Sequence, residues 1–207
     1  MEPLSALIAA TPGAVTLLGL MVAASLYGLF VAPATIDRHL LRPYWLVRRH
    51  QYLTLVTSGF LHADVAHLLF NGFTFWAFGF SLERAIGTPS FLALYFFGLF
   101  ASDAGTFIKH RHDASYGSLG ASGAILAVLF ASILYFPTAS LFIVPIPLPI
   151  PAPLFAVAYL GYTYYASRQG RGRVNHDAHL SGAIAGVVFV ALTDPRTIER
   201  ALRAFIG

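Results

Sequence analysis

The sequence predicts an all-α polytopic membrane protein with six transmembrane helices. Two features of the composition support this fold class: 57% of the 207 residues are hydrophobic and only 11% are charged, whereas soluble domains carry about 25% charged residues. The mean hydropathy is +0.69. In addition, the chain contains repeated apolar stretches that approach the roughly 20 residues needed to span a bilayer as a helix.

Six apolar stretches are assigned as membrane-spanning helices in chain order. The first is followed by residues 37–51, which carry several arginines and are too polar to span. The charged pair Glu83-Arg84 closes the second stretch, and the polar segment 109–113 closes the third. The predicted spans are residues 14–34, 66–82, 90–108, 120–136, 154–167 and 178–193.

The connection between the fourth and fifth spans is rich in proline. Five prolines alternate with apolar residues from Pro145 to Pro153. Proline lacks the backbone N–H and clashes with the preceding turn, so we predict a polyproline-like connector whose last proline can start a helix. We find no repeat or second domain. The chain is therefore predicted to form a single membrane domain over residues 1–207, with its core at about 14–194 and a short amphipathic tail at 195–207.

The composition also excludes several classes of function. The chain has no cysteine, which removes disulfides, cysteine-ligated zinc and cysteine nucleophiles. Its formal net charge is +4, but no contiguous basic run accompanies this charge. We therefore interpret the basic residues as flanking the membrane and expect no nucleic-acid partner.

The candidate functional residues are four polar side chains inside the predicted spans, where such groups are costly and usually functional. His67 and Asn71 are four residues apart in the second span, so they share one face of a helix. Ser122 lies between glycines at the start of the fourth span, where helical N–H groups are unpaired. His179 begins the sixth span. Small residues crowd the starts of the fourth and sixth spans, which favours close helix packing.

Helix direction predicts that these four residues meet. The second, fourth and sixth spans cross the membrane in the same direction, and each carries its polar residues near its N-terminal end. All four side chains should therefore lie at one face of the membrane and at similar depth, although their positions in the chain are far apart.

Such a set can perform acyl transfer. Ser122 is a weak nucleophile unless a base takes its proton, and neutral His179 is the usual kind of base. Backbone N–H groups at the start of the fourth helix, with Asn71 and His67, can stabilise the oxyanion of a tetrahedral intermediate. Asp177 lies two residues before His179, a spacing that does not place it against the same ring. We therefore predict a Ser–His dyad.

These residues resemble the motifs of rhomboid intramembrane proteases. The stretch His67-Leu68-Leu69-Phe70-Asn71 is similar to their H-x-x-x-N motif, and Gly120-Ala121-Ser122-Gly123 is similar to their G-x-S-G motif. The segment 178–182 resembles the one that carries their catalytic histidine, and Phe60-Leu61-His62 also resembles the family. The similarity covers about residues 51–194.

The resemblance implies an intramembrane serine endopeptidase with a six-helix rhomboid-like bundle. Ser122 would be the nucleophile and His179 the base, with Asn71 and His67 helping to bind the oxyanion. The substrates would be transmembrane or juxtamembrane segments of other membrane proteins, within membrane lipid, and no metal or organic cofactor is expected. Two positions depart from the family pattern. Leu53-Thr54 replaces a Trp-Arg pair in the first loop, and Leu126 replaces a tyrosine that stacks on the histidine in some relatives.

Two other functions remain open at this stage. A non-catalytic relative could bind client transmembrane segments, although such relatives usually lack the serine or the histidine. A metal site could form from the histidines of two loops on one face, namely His110, His112, His176 and His179. The oligomeric state is not readable from the sequence. We expect a multi-pass protein of a prokaryotic cell (inner) membrane.

Membrane orientation gives conflicting signals. Family resemblance places the N-terminus in the cytoplasm and the Ser122 face outside, and we adopt this orientation. The positive-inside rule favours the opposite, because the Ser122 face carries most of the basic residues. That face has nine Lys or Arg residues: Arg38, Arg42, Arg48, Arg49, Lys109, Arg111, Arg168, Arg171 and Arg173. The other face has four: Arg84, Arg196, Arg200 and Arg203.

Overall fold

The structure is a computed structural model that describes residues 4–142, 148–169 and 174–206. This part of the chain is mainly helical, with two short strands. The elements are α1 (Leu4–Ala10), α2 (Pro12–Leu26, continued by a π-helical turn at Tyr27–Val31), α3 (Ala34–Arg38), α4 (Pro43–Arg48), α5 (Thr54–Thr57, continued by a 3-10 turn at Ser58–Phe60), α6 (Val65–Ile86), α7 (Thr88–His110), α8 (Ser122–Tyr135), β1 (Ser140–Phe142), β2 (Pro149–Pro151), α9 (Ala152–Gln169), α10 (His176–Thr193) and α11 (Pro195–Ile206).

A helix lies at each of the six predicted spans within the described residues. Four of these helices are long and apolar enough to cross a membrane: Pro12–Val31, Val65–Ile86, Thr88–His110 and His176–Thr193. The protein is therefore a helical membrane bundle. α8 is apolar but has only 14 residues, and α9 has 18 residues of more polar composition. Six crossings remain a prediction.

α8 is the central helix of the bundle. Every residue from Gly123 to Ile133 is buried, and the helix contacts α6, α7, α9, α10 and α11. A helix that is apolar on all sides is expected to be enclosed by other helices. Ser122, its first residue, is therefore held at the end of an enclosed helix.

Glycines bring α8 and α10 close together. A Cβ atom at Gly182 would lie 2.1 Å from the carbonyl oxygen of Gly123, and one at Gly186 would lie 2.3 Å from the carbonyl oxygen of Ala127. No side chain fits in either place, so the two backbones are in direct contact. The close packing expected from the small residues of the fourth and sixth spans is present.

α6 and α7 form a tight hairpin that also holds α2. Asp64 caps α6 by accepting a hydrogen bond from the backbone N–H of His67 at 2.8 Å. The helix ends at Gly87, whose φ of 77° suits glycine. Buried Glu83, in the last turn of α6, accepts hydrogen bonds at 2.9 and 2.6 Å from two backbone N–H groups at the start of α2. The carboxylate therefore caps α2 from another helix.

The proline-rich connector differs from the prediction. Residues Pro149–Pro151 pair as an antiparallel strand with Ser140–Phe142 instead of forming a polyproline-like segment. Prolines are tolerated here because the pair is an isolated two-stranded ribbon. Pro145 and Pro147 lie outside the described residues. Pro153 stands in the first turn of α9, as the prediction of a helix start required.

The polar stretch after the first span contains the short helices α3 and α4 and packs on the loop that leads to Ser122. Leu41 pairs with Ser118 as an isolated β-bridge. The indole Nε1 of Trp45 donates to the carbonyl oxygen of Ala114 at 3.1 Å. At the position of the family departure, Thr54 is buried and its hydroxyl donates to the carbonyl oxygen of Gln51 at 2.6 Å. These contacts anchor the loop without the Trp-Arg pair.

Candidate active site

Ser122 is positioned by a turn that only glycine can make. Gly120 has a φ of 121°, and its N–H donates to the carbonyl oxygen of Ser58 at 2.9 Å. A Cβ atom at Gly120 would lie 2.6 Å from Cε1 of His67. The first intrahelical bond of this turn runs from the N–H of Ile125 to the carbonyl oxygen of Ala121, so the N–H groups before Ile125 have no partner within the helix.

His179 lies in the first turn of α10 and reaches Ser122. The distance from His179 Nε2 to Ser122 Oγ is 2.8 Å. Asn175 caps this helix by accepting a hydrogen bond from the N–H of Ala178 at 3.1 Å. The Asn175 amide also donates to the hydroxyl of Thr106 on α7 at 2.9 Å. Asn175 thus links the start of α10 to α7, and this fixes the position of the His179 imidazole along the helix axis.

Tyr159 of α9 contacts the other side of the His179 ring. The distance from Tyr159 Oη to His179 Nδ1 is 3.0 Å. Tyr159 was not predicted from the sequence, because α9 carries four tyrosines and their spacing alone does not select one. The others are Tyr162, Tyr164 and Tyr165, whose side chains are exposed.

His67 and Asn71 lie on α6 beside the turn that precedes Ser122. The His67 ring faces Gly120. Asn71 is buried, and its amide N–H donates to the carbonyl oxygen of His67 at 3.0 Å. In the described part of the chain, neither side chain forms a hydrogen bond to Ser122. The structure therefore brings the serine and the imidazole of His179 into direct contact and places His67 next to their turn.

His62 supports His67 from the loop before α6. Its Nδ1 lies 2.9 Å from the hydroxyl of Ser25 on α2, which itself donates to the carbonyl oxygen of Phe60 at 3.1 Å. The rings of His62 and His67 pack edge to face with centroids 4.9 Å apart. Burial, with a smaller contribution from His67, lowers the pKa of His62 to about 3. His62 is therefore a neutral, buried support for the His67 ring.

Of the loop histidines considered for a metal, His110 has other partners. The rings of His110 and Tyr116 stack at 3.6 Å, and His110 Nε2 lies 3.4 Å from a carboxylate oxygen of Asp177. Lys109 binds the other carboxylate oxygen of Asp177 at 2.9 Å. Among the described residues, no group of three or more His, Cys, Asp or Glu side chains is placed to hold a metal ion. Asp177 is engaged away from the His179 ring, in agreement with its spacing.

Comparison with known proteins identifies relatives over most of the chain. The family model described as Rhomboid domain matches residues 49–196. The chain is 34% identical over 143 residues to presenilin-associated rhomboid-like protein A, mitochondrial, of Danio rerio, covering 67% of this chain and 37% of that protein. It is 32% identical over 182 residues to rhomboid protein 1, mitochondrial, of Saccharomyces cerevisiae, covering 84% of this chain and 51% of that protein.

A third relative is RHOMBOID-like protein 12, mitochondrial, of Arabidopsis thaliana, which is 29% identical over 153 residues, covering 65% of this chain and 44% of that protein. The chain thus spans about half the length of these relatives or less. All three are named as mitochondrial proteins, so the expected prokaryotic cell membrane is wrong and the comparisons point to a mitochondrial membrane. By its matching domain and its relatives, the chain belongs to the rhomboid family.

Proposed function

We propose that this protein is an intramembrane serine endopeptidase that cleaves transmembrane or juxtamembrane segments of other membrane proteins. Ser122 is the nucleophile and His179 the general base. The observation that carries the proposal is the 2.8 Å distance between Ser122 Oγ and His179 Nε2. This distance lies within the reach required for proton transfer from a nucleophile to its base. Resemblance to rhomboid proteases supports the same assignment.

The reaction follows from this geometry in two steps. In the first, Ser122 Oγ attacks the carbonyl carbon of the scissile peptide while His179 Nε2 takes the hydroxyl proton. The imidazolium then gives this proton to the leaving amine as the C–N bond breaks, which leaves an acyl ester on Ser122. In the second step, a water molecule gives a proton to His179 and attacks the ester, and the proton returns to Ser122 Oγ as the acid product leaves.

The oxyanion formed in each step is stabilised by donors around the start of α8. Backbone N–H groups of the first turn lack partners within the helix, and the side chains of His67 and Asn71 lie on the adjacent helix. Binding of substrate is expected to draw these side chains toward the oxygen. Removal of one such donor typically costs about 3 kcal/mol of transition-state stabilisation.

The short central helix supports catalysis below the membrane surface. With 14 residues and a rise of 1.5 Å per residue, α8 is about 21 Å long, whereas the hydrocarbon core is about 30 Å thick. In the proposed six-crossing arrangement, Ser122 at the start of α8 therefore lies within the membrane. Because peptide hydrolysis consumes water, the site must open to water from the loop side.

Site variants test the proposal by cleavage of a transmembrane substrate in detergent. We expect Ser122→Ala and His179→Ala each to lower kcat by at least about a thousandfold, as in other serine hydrolases. Two matched controls, Ser81→Ala on the exposed face of α6 and His112→Ala in an exposed loop, should cleave like the wild type.

Full activity of either site variant would contradict the dyad. The non-catalytic alternative makes a different prediction. Wild type and Ser122→Ala would then both fail to cleave and would retain the same client segment with equal affinity in a pull-down.

A further inference from the structure

Tyr159 of α9 forms a hydrogen bond with His179, the proposed base. The Ser122–His179 dyad alone does not require this contact. Tyr159 Oη lies 3.0 Å from His179 Nδ1, on the side of the ring opposite the nitrogen that faces Ser122. His179 is thus held at both ring nitrogens by hydroxyl groups from two different helices. The role inferred for this contact rests on the proposed function.

The tyrosine is fixed by packing on its own ring. Phe155, one turn earlier on α9, stacks on Tyr159 with centroids 5.4 Å apart and an interplanar angle of 24°. Phe130 of α8 packs against the same ring at 6.0 Å. Leu126, the departure from the family pattern, belongs to the same apolar cluster. The hydroxyl of Tyr159 is therefore presented to His179 by a set of apolar contacts on two helices.

Among the described residues, no carboxylate contacts Nδ1 of His179. Asp177, the nearest acidic residue in the chain, is bound by Lys109 at 2.9 Å and lies 3.4 Å from His110. In a serine hydrolase, the group at Nδ1 selects which ring nitrogen carries the proton and supports the imidazolium that forms. Here a tyrosine hydroxyl occupies that position.

We propose that Tyr159 is the positioning residue of His179. Its Oη accepts a hydrogen bond from the Nδ1–H group, which leaves the Nε2 lone pair free to accept the proton of Ser122. The hydroxyl of Thr163, one turn along α9, is buried without a hydrogen-bond partner among the described residues. It is the group to which the Tyr159 O–H can donate in turn, because residues four apart share a helix face.

The first test is the kinetics of Tyr159→Phe, which keeps the ring contacts and removes only the hydroxyl. We expect kcat to fall about 10- to 100-fold with KM unchanged, as expected for loss of a hydrogen bond to a group that becomes charged in the transition state. Tyr165→Phe is the matched control, because it makes the same change at an exposed position of α9. It should cleave like the wild type.

The second test measures the tautomer directly and does not depend on a substrate. In protein labelled with 15N-histidine, the His179 ring should show a single Nδ1–H tautomer, with its signals assigned by their loss in His179→Ala. Tyr159→Phe should show a mixture of the two tautomers, whereas Tyr165→Phe should not.

The outcomes separate the two proposals. If Ser122→Ala is inactive while Tyr159→Phe cleaves like the wild type and keeps the single tautomer, the role of Tyr159 is overturned and the dyad stands. Equal losses of kcat in Tyr159→Phe and Tyr165→Phe would also overturn it. Cleavage by Ser122→Ala at the wild-type rate would overturn the proposed function, and with it the role of Tyr159 in positioning a catalytic base.

Discussion

Gly120 sets the geometry of the site at the scale of a single residue. It is restricted in two independent ways, because its φ is 121° and because a Cβ atom would meet the ring of His67 at 2.6 Å. Its N–H is also bound to the carbonyl oxygen of Ser58. The turn therefore joins three parts of the site: the first loop, the His67 ring and the start of α8.

Gly120→Ala should reduce both stability and cleavage. Backbone strain at such an angle costs about 1–3 kcal/mol, and the added methyl group must displace His67. We expect a lower Tm in detergent and at least a tenfold loss of kcat. Gly161→Ala is the control, because a Cβ atom there meets nothing within 4 Å. It should keep both quantities near those of the wild type. An unchanged Tm and kcat in Gly120→Ala would contradict this account of the turn.

The functional residues differ in how far they could be predicted. Ser122, His179 and His67 are polar side chains in apolar helices, so the cost of burying them marks them in the sequence. Tyr159 is not marked in this way, since a tyrosine in an apolar helix is ordinary. Its partner depends on how α9 is rotated, which tertiary packing decides. The hydrogen bond between His62 and Ser25 could not be predicted from the sequence either, because these residues are brought together only by the packing of α2.

At the scale of elements, the contact between α8 and α10 determines the distance between serine and base. Gly182 packs on the carbonyl group of Gly123, directly next to Ser122, and His179 stands one turn before Gly182. Because the contact lies so close to both residues, a displacement of one helix from the other changes the Ser122–His179 distance directly. Activity should therefore respond to this contact more strongly than stability does.

Gly182→Ala is expected to separate the two helices. A methyl group 2.1 Å from a carbonyl oxygen must move α10 outward, and a misplacement of about 1 Å can cost about a hundredfold in rate. We expect kcat to fall by about that factor while the helical content measured by circular dichroism is retained. The control is Gly19→Ala on α2, where a Cβ atom meets nothing within 4 Å. Equal activity of the two variants would contradict the proposed coupling.

The helices could be predicted where the length of an apolar stretch is sufficient to indicate a membrane span. Each of the six predicted spans has a helix in the described residues, although boundaries shift by several residues. The β1–β2 pair was missed because alternating prolines indicate an extended chain but cannot reveal that a partner strand lies at Ser140–Phe142. Pairing is a non-local contact, and the apolar pattern of so short a strand carries no signal for it.

For the whole molecule, the described structure gives local partners to some of the basic residues on the Ser122 face. Several arginines on the Ser122 face contact side chains of their own loop. Arg42 pairs with Asp37 at 2.5 Å, and the Arg49 guanidinium lies 3.8 Å over an aromatic ring. Arg171 and Arg173 lie outside the described residues. Arginines with such structural partners are a weak guide to orientation, so the adopted orientation stays a prediction.

Six crossings can be tested by cysteine labelling, because the natural chain has no cysteine. If α8 and α9 both span, the exposed turn at Thr138 lies on the same side as the C-terminus. The loop at His112 lies on the opposite side. In oriented vesicles, a membrane-impermeant maleimide should therefore label Thr138→Cys together with a cysteine added after Gly207. It should label His112→Cys only after permeabilisation or in vesicles of the reverse orientation. Labelling of Thr138→Cys together with His112→Cys would show that α8 does not cross.

Lys109 joins the ends of two helices in the described structure. Its ammonium group binds the carbonyl oxygen of Ser167 in the last turn of α9 and the carboxylate of Asp177 in the first turn of α10. A cation at a helix C-terminus and an anion at a helix N-terminus each oppose the local end of a macrodipole. One ion pair therefore neutralises the partial charges of both helix ends. As a result, the loop-side ends of the helices that carry Tyr159 and His179 are joined directly through the Lys109 side chain.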